Sequence, residues 1–107
     1  MAGGRVEHLR SDAFTYRPAR AVDLLVCDIV DKPARVAGLM ADWLERGWCR
    51  AAVFNLKLPM RDRYAAVRDA LALISERVGE KTGRSPAIAC KQLYHDREEV
   101  TALVRLA

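Results

Sequence analysis

Runs of apolar residues alternate along this chain with segments whose apolar residues recur at helical spacing. The runs at residues 22–29 and 51–58 are nearly continuous, which is typical of strands buried on both faces of a parallel sheet. A shorter run at 6–9 is a further strand candidate. Apolar residues recur every three or four positions after each long run, which predicts two helices. The pattern predicts strands that alternate with helices.

The helix boundaries are marked by the residue types that begin and end helices. Asp31 and Pro33 precede the first helix, and Gly47 ends it. Pro59 separates the second long run from the next helix. The first predicted apolar stripe contains Val36, Leu39, Met40, Trp43 and Leu44, and the second contains Tyr64, Val67, Leu71, Ile74 and Val78.

Two strand-like segments close the chain, at residues 87–93 and 100–106. The polar stretch 94–99 between them is too short for a crossover helix, so the two segments are predicted to pair antiparallel. The chain has 107 residues, about half of them apolar, which suits one modest core. The prediction is a single α/β domain.

Composition indicates which kinds of partner the protein could bind and in which cellular compartment it would be found. A net charge of +4 favours an anionic partner such as RNA, although the excess is mild. The three cysteines are far apart and form no C-x-x-C motif, so neither a disulfide framework nor a thiolate zinc site is indicated. No stretch resembles a membrane span or the apolar part of a signal peptide. We expect a cytoplasmic protein without a metal or a membrane partner.

Three ionisable residues lie at or near the ends of predicted strands, namely Asp28, Lys57 and Glu99. Open α/β sheets bind ligands beyond the carboxyl ends of their strands, so charged residues at this edge indicate an active site. Simpler interpretations compete with this one. Asp28 could cap the following helix, Lys57 could be an ordinary solvated lysine, and Glu98 could take the place of Glu99.

Longer strings of residues carry a family resemblance. They are HLRSDAF at 8–14, LVCDIVDKP at 25–33, FNLKLPM at 54–60 and QLYHDREEVT at 92–101. With these strings the chain resembles the FtsJ-like ribose 2′-O-methyltransferases, and most closely the branch that acts on a cytidine of bacterial 23S ribosomal RNA. The resemblance covers essentially the whole chain.

The resemblance implies a partial Rossmann-like fold that uses S-adenosylmethionine (SAM). Residues 1–107 would be the carboxyl-terminal portion of such a domain, with the second half of its sheet and an antiparallel last strand pair. Asp28, Lys57 and Glu99 match three members of the family's Lys-Asp-Lys-Glu tetrad, and Asp28 would also contact the cofactor. Asp12 matches the acidic residue near the adenine of SAM. The first tetrad lysine, the glycine-rich cofactor loop and the acidic residue that holds the ribose of SAM have no counterpart here.

The family's strand order, 3-2-1-4-5-7-6, has structural consequences for this chain. It implies two absent strands between the strand at 6–9 and the strand at 22–29. The strand at 6–9 would then have no neighbour, and the long apolar edge of 22–29 would be open. Asp12 would be misplaced, while Asp28, Lys57 and Glu99 could still converge. We therefore expect the isolated chain to be inactive.

The resemblance also assigns roles. Lys57 would be the general base for a ribose hydroxyl, which requires its neutral form, and the carboxylates of Asp28 and Glu99 would orient it. Other interpretations remain open, namely a non-catalytic RNA-binding or protein-interaction module, and an enzyme that completes its site between two chains. Trp48, Tyr64 and Tyr94 could stack on bases. A basic set could contact phosphates or simply be solvated, and it consists of Arg61, Arg63, Arg68, Lys91 and Arg97.

Overall fold

Five strands and two helices form the described part of the chain. The computed structural model describes residues 5–9, 17–29, 31–58, 62–91 and 99–106. The elements are, in chain order, β1 (Val6–Leu9), β2 (Val22–Cys27), α1 (Pro33–Glu45), β3 (Cys49–Lys57), α2 (Arg63–Thr82), β4 (Ala87–Lys91) and β5 (Glu99–Arg105). From β2 to α2 strands and helices alternate, as the apolar pattern predicts.

The strands form one sheet in the order β1-β2-β3-β5-β4. The first three strands are parallel to one another. β5 lies between β3 and β4 and is antiparallel to both. The predicted α/β class and the antiparallel pairing of the last two strands are confirmed.

Proline and glycine mark the helix boundaries. α1 begins with Pro33, and it ends where Gly47 adopts a positive φ of 73° that residues with a Cβ rarely adopt. In this turn the N–H of Gly47 donates to the carbonyl oxygen of Leu44, and the N–H of Trp48 donates to that of Trp43. Gly83 ends α2 in the same left-handed conformation.

One face of the sheet, called here the helix face, carries the core. Both helices bury their apolar stripes against it in one cluster. Side chains of this cluster that are no more than 2% exposed include Leu25, Cys27, Phe54, Leu56, Ala102 and Val104 from the strands and Val36, Met40, Trp43, Ile74 and Val78 from the helices. In β3 and β5 this alternation places every second residue, from Ala52 to Leu56 and from Val100 to Val104, in the core.

The opposite face, called here the open face, has less cover. Val6 is 62% exposed and Leu103 is 39% exposed, while Leu24, Val26 and Val53 are half-buried. Both helices lie on the other side of the sheet, so the predicted burial of the strands on both faces is wrong for this face. Continuous apolar runs in β2 and β3 are compatible with one covered face and one that is only partly covered.

β1 pairs with β2 over four residues, from the Val6–Leu24 pair to the Leu9–Cys27 pair. The N–H of Asp23 donates to the carbonyl oxygen of Arg5 at 2.9 Å. The expectation that this strand has no neighbour, and that the edge of β2 is open, is therefore wrong. An unpaired strand edge leaves backbone N–H and C=O groups unsatisfied, and β1 is close enough along the chain to pair with them.

Arg77 of α2 joins the two helices through its guanidinium group. It donates to the carbonyl oxygen of Gly38 at 3.2 Å, to Oε1 of Glu45 at 2.6 Å and to the carboxylate of Asp42. The hydrogen bond to Asp42 is the main reason that the pKa of Arg77 is raised. The two helices are thereby held in one orientation above the helix face. Neither helix is long and apolar enough to span a membrane, within the part of the chain that the structure describes.

Candidate functional site

Lys57 and Glu99 are directly opposite each other in the β3–β5 ladder. Nζ of Lys57 lies 3.9 Å from Oε1 of Glu99. That separation exceeds the usual length of a charge-assisted hydrogen bond, so the contact is a loose ion pair. The two side chains are 43% and 22% exposed, which leaves Nζ open to a substrate. The structure brings together these two residues that the sequence predicted for one site.

A polar pair adjoins the ion pair on the same face of the sheet. Asn55, two residues before Lys57 in β3, lies opposite Thr101, two residues after Glu99 in β5, and the Thr101 hydroxyl donates to Oδ1 of Asn55 at 2.8 Å. Lys91 of β4 is the register partner of Thr101. Sequence reasoning did not select Thr101 for the site, although its position two residues after Glu99 was a usable signal, because residues i and i+2 of a strand share a face.

Asp28 lies at the same edge of the sheet, immediately after β2. Its N–H donates to the carbonyl oxygen of Leu9 at 3.2 Å, and its side chain is exposed. The last pair between β2 and β3 joins Cys27 to Phe54, which puts Asp28 one residue beyond that pair at the level of Asn55. Asp28 thus directly follows β2, the strand that lies beside the one that carries Lys57. Asp12 and Glu98 lie outside the described residues.

The aromatic and basic candidates have different outcomes. Trp48 is half-buried against the core, its ring 5.5 Å from that of Trp43 and 5.0 Å from the guanidinium of Arg46, so it is a packing residue. Tyr64 was predicted in the apolar stripe of α2, but it is 80% exposed, and the first fully buried residue of that helix is Ala70. The prediction for Tyr64 is therefore wrong, since the first turns of α2 extend past the core. Tyr94, Arg61 and Arg97 lie outside the described residues.

A cleft of about 450 Å³ lies between the first turns of α1 and α2. Its lining is mostly apolar, with Lys32 and Asp69 as the charged members; the other lining residues are Pro33, Ala34, Ala66, Ala70 and Leu73. Asp31, just before α1, forms an ion pair with Arg35 at 2.9 Å. No contact between Lys32 and Asp69 carries a chemical argument, whereas Lys57 and Glu99 face each other across the ladder, so the chemical candidates are those at the sheet edge.

The buried cysteines are unsuited to nucleophilic chemistry. Burial raises the pKa of Cys27 to about 11 and that of Cys49 to about 12. Their thiols are therefore neutral near pH 7, whereas the reactive form is the thiolate. Among the residues that the structure describes, no group of three or more His, Cys, Asp or Glu side chains is arranged to hold a metal ion.

Comparison with known proteins identifies close relatives along nearly the whole chain. It is 56% identical over 105 residues to the ribosomal RNA large subunit methyltransferase M of Stutzerimonas stutzeri, a match that covers 98% of this chain and 30% of the relative. The proteins of the same name from Erwinia tasmaniensis and Azotobacter vinelandii are each 55% identical, over 106 and 101 residues, and the matches cover 98% and 94% of this chain but 29% and 28% of those relatives. The resemblance to this methyltransferase family is confirmed. No family model matches the chain.

The chain spans about 30% of the length of the large subunit methyltransferases M that it matches. A solved structure, the METTL16 methyltransferase domain, superposes with a TM-score of 0.51 at 16% identity, and the match covers 89% of this chain and 34% of that one. At this identity the likeness concerns the fold alone. It supports the expected partial Rossmann-like methyltransferase fold.

Proposed function

We propose that this chain is the carboxyl-terminal portion of a SAM-dependent methyltransferase domain that modifies the 2′-hydroxyl of a cytidine in 23S ribosomal RNA. The observation that carries the proposal is the cross-strand pair of Lys57 and Glu99, 3.9 Å apart at the sheet edge beside Asp28. The relatives named for methylation of large-subunit ribosomal RNA support the substrate class. The net charge of +4 suits an RNA partner.

The described residues fit one part of a cofactor site. Asp28 has an exposed carboxylate at the edge of the sheet where α/β proteins bind ligands, and such a group accepts hydrogen bonds from a cationic or N–H-bearing ligand. Asp28 would hold SAM from this side, together with Asp12. When bound, SAM supplies a methyl group on a cationic sulfur, and its transfer to a ribose hydroxyl releases the hydroxyl proton.

Lys57 would accept that proton in its neutral form. Nζ is exposed enough to reach a bound ribose, because 43% of the side chain is accessible. Glu99 would position the lysine from the neighbouring strand, and the loose 3.9 Å contact leaves Nζ free to turn towards the hydroxyl. Ion pairs this exposed add about 0–1 kcal/mol to folding stability, so Lys57 can be replaced to test its role without a large loss of folding stability.

Asn55 and Thr101 would support this arrangement. Their hydrogen bond ties β3 to β5 beside the ion pair and on the same face of the sheet. A fixed separation of the two strands keeps Glu99 opposite Lys57. Most of the rate of such a reaction comes from alignment of the reacting atoms, so a rigid ladder beneath the base is a useful scaffold.

The test uses a polypeptide in which this chain follows the upstream half of the methyltransferase domain that the resemblance implies. Single-turnover methylation of unmodified 23S ribosomal RNA is compared for the wild type, Lys57→Ala and the control Lys81→Ala at the far end of α2. Lys57→Ala should slow methylation by about 10²–10⁴-fold, because a general base contributes roughly that much. SAM affinity should persist in Lys57→Ala, and Lys81→Ala should match the wild type.

A Lys57→Ala rate within a few-fold of the wild type would reject Lys57 as the base. SAM binding by the isolated 107-residue chain is a second measurement. We expect none, because the chain has no counterpart of the glycine-rich cofactor loop. Tight SAM binding by the isolated chain would instead favour a site completed between two copies. RNA binding that weakens with salt, in an extended protein that does not bind SAM, would favour a non-catalytic RNA-binding module.

A further inference from the structure

Tyr64 is the most exposed large apolar residue in the described part of the chain, at 80%. The other described aromatic residues belong to the core or pack against it, because Trp43 and Phe54 are buried and Trp48 is half-buried. An aromatic ring that the fold leaves in solvent adds little to the stability of the described structure. It retains nearly its whole surface for a ligand.

Arg68, one turn further along α2, lies beside this ring. Its guanidinium carbon is 6.0 Å from the centre of the Tyr64 ring, which is the outer limit of a cation–π contact. The Arg68 side chain is 63% exposed, and its Nε lies 3.5 Å from Oδ1 of Asp69. The pair therefore presents an aromatic ring and a planar cation side by side on the surface of the helix.

The pair follows the proposed base within a short stretch of the chain. The chain from Lys57 at the end of β3 to Asp62 before α2 is five residues long, so it spans at most about 18 Å. The segment 57–68 is also basic, with Lys57, Arg61, Arg63 and Arg68 against the single acidic residue Asp62. Phosphate neutralisation by basic residues dominates RNA affinity, and aromatic rings among them bind unpaired bases.

We propose that Tyr64 and Arg68 form a stacking platform for an unpaired base of the RNA substrate, next to the nucleotide whose ribose lies at Lys57. The proposal rests on the proposed function and extends it to substrate positioning. Stacking on a tyrosine tolerates any base, so the platform would hold the RNA strand in place without reading its sequence. Arg68 would keep the ring in position and add a cationic surface for the same base or its phosphate.

The experiment measures binding of unmodified 23S ribosomal RNA by the upstream-extended protein over a range of salt concentrations. The variants are Tyr64→Ala, Tyr64→Phe and Arg68→Ala, with Lys81→Ala as a charge control on the same helix. Tyr64→Ala should weaken binding by about tenfold, the usual effect of losing one stacked base. Tyr64→Phe should bind within about twofold of the wild type, because it keeps the ring. The salt dependence of Tyr64→Ala should keep the wild-type slope, because no charge is lost.

Three results would contradict the proposal of a stacking platform. They are unchanged RNA affinity in Tyr64→Ala, equal losses in Tyr64→Phe and Tyr64→Ala, and a fall in melting temperature and SAM affinity together in Tyr64→Ala. The last result would mean that another part of the protein packs on the ring. Failure of the proposed function is separable, since it appears as unchanged methylation by Lys57→Ala whatever the RNA affinity of the Tyr64 variants.

Discussion

Phe54 and Val53 are neighbours in β3, yet they lie on opposite faces of the sheet. Phe54 is 1% exposed on the helix face, whereas Val53 is half-buried on the open face. The same contrast holds in β5, where Val104 is fully buried and Leu103 is 39% exposed. The two faces have similar apolar residues but very different packing.

The helix face stabilises the fold, whereas the open face carries the residues of the candidate site. On the helix face, buried residues of the strands, α1 and α2 form one cluster. The open face carries the polar pairs Asn55–Thr101 and Lys57–Glu99 at one end and mainly apolar residues over the rest, with Arg105 at the other end. Sheets with parallel strands are normally covered on both faces. A partly covered face therefore fits the proposal that this chain is one portion of a larger domain.

The largest expected effect comes from Phe54→Ala compared with Val53→Ala. Removing the buried ring should lower the free energy of unfolding by about 3–5 kcal/mol, through lost burial and the cavity left behind. Val53→Ala should cost about 1 kcal/mol or less, because the side chain is only half-buried. Urea unfolding of the isolated chain measures both values. Equal losses would show that the open face is packed as tightly as the helix face.

A second prediction concerns the buried thiols at alkaline pH. Burial raises the pKa of Cys27 from 9.0 to about 11, so the folded state keeps a neutral thiol while the unfolded chain ionises near pH 9. The contribution of the neutral Cys27 thiol to the free energy of unfolding is complete below pH 9 and is lost as the pH rises from 9 to 11. When the pH is raised from 8 to 10.5, the unfolding free energy of the wild type should fall by about 2 kcal/mol more than that of Cys27→Ala. Parallel pH profiles for the two proteins would contradict this account.

A third prediction tests how firmly the helices are held on their face. Arg77→Met should lower the unfolding free energy by about 1–2 kcal/mol, because Asp42 and Glu45 each lose a charge-assisted hydrogen bond at the α1–α2 contact. Arg35→Met is the control, since Arg35 makes an exposed ion pair with Asp31 worth about 0.5 kcal/mol. Thermal unfolding of both variants at low and high salt supplies the measurement, and similar losses would mean that the Arg77 contacts add nothing beyond surface charge.

The smallest effect is expected at Leu103 on the open face. Leu103→Thr should change the unfolding free energy by about 0.5 kcal/mol or less, because threonine suits a strand and the leucine is partly exposed. It should also reduce the binding of a hydrophobic fluorescent dye by the isolated chain. The same change at Val104, the next residue on the helix face, should lower the unfolding free energy far more. A large loss in Leu103→Thr would indicate that the open face is covered more fully than the exposure of Leu103 implies.

Local sequence patterns predicted most of the elements and the candidate site. Pro33 and Gly47 bounded α1 because these residues restrict or permit specific backbone conformations. Asp28 and Lys57 were placed at one edge because the carboxyl ends of parallel strands meet there. The pairing of β1 with β2 was missed because it depends on which strand is available in space, and no local pattern encodes that.

The sequence by itself determined the order of helices and strands, the family resemblance and the residue types at the sheet edge, since all of these depend on neighbouring residues or on contiguous strings. Only the tertiary structure decided that Lys57 lies opposite Glu99, that Asn55 and Thr101 share a hydrogen bond, and that Tyr64 is in solvent. Register and burial are set by contacts between segments far apart in the chain. A helical stripe such as that of α2 shows which residues could be buried, but the packing partners decide where burial begins.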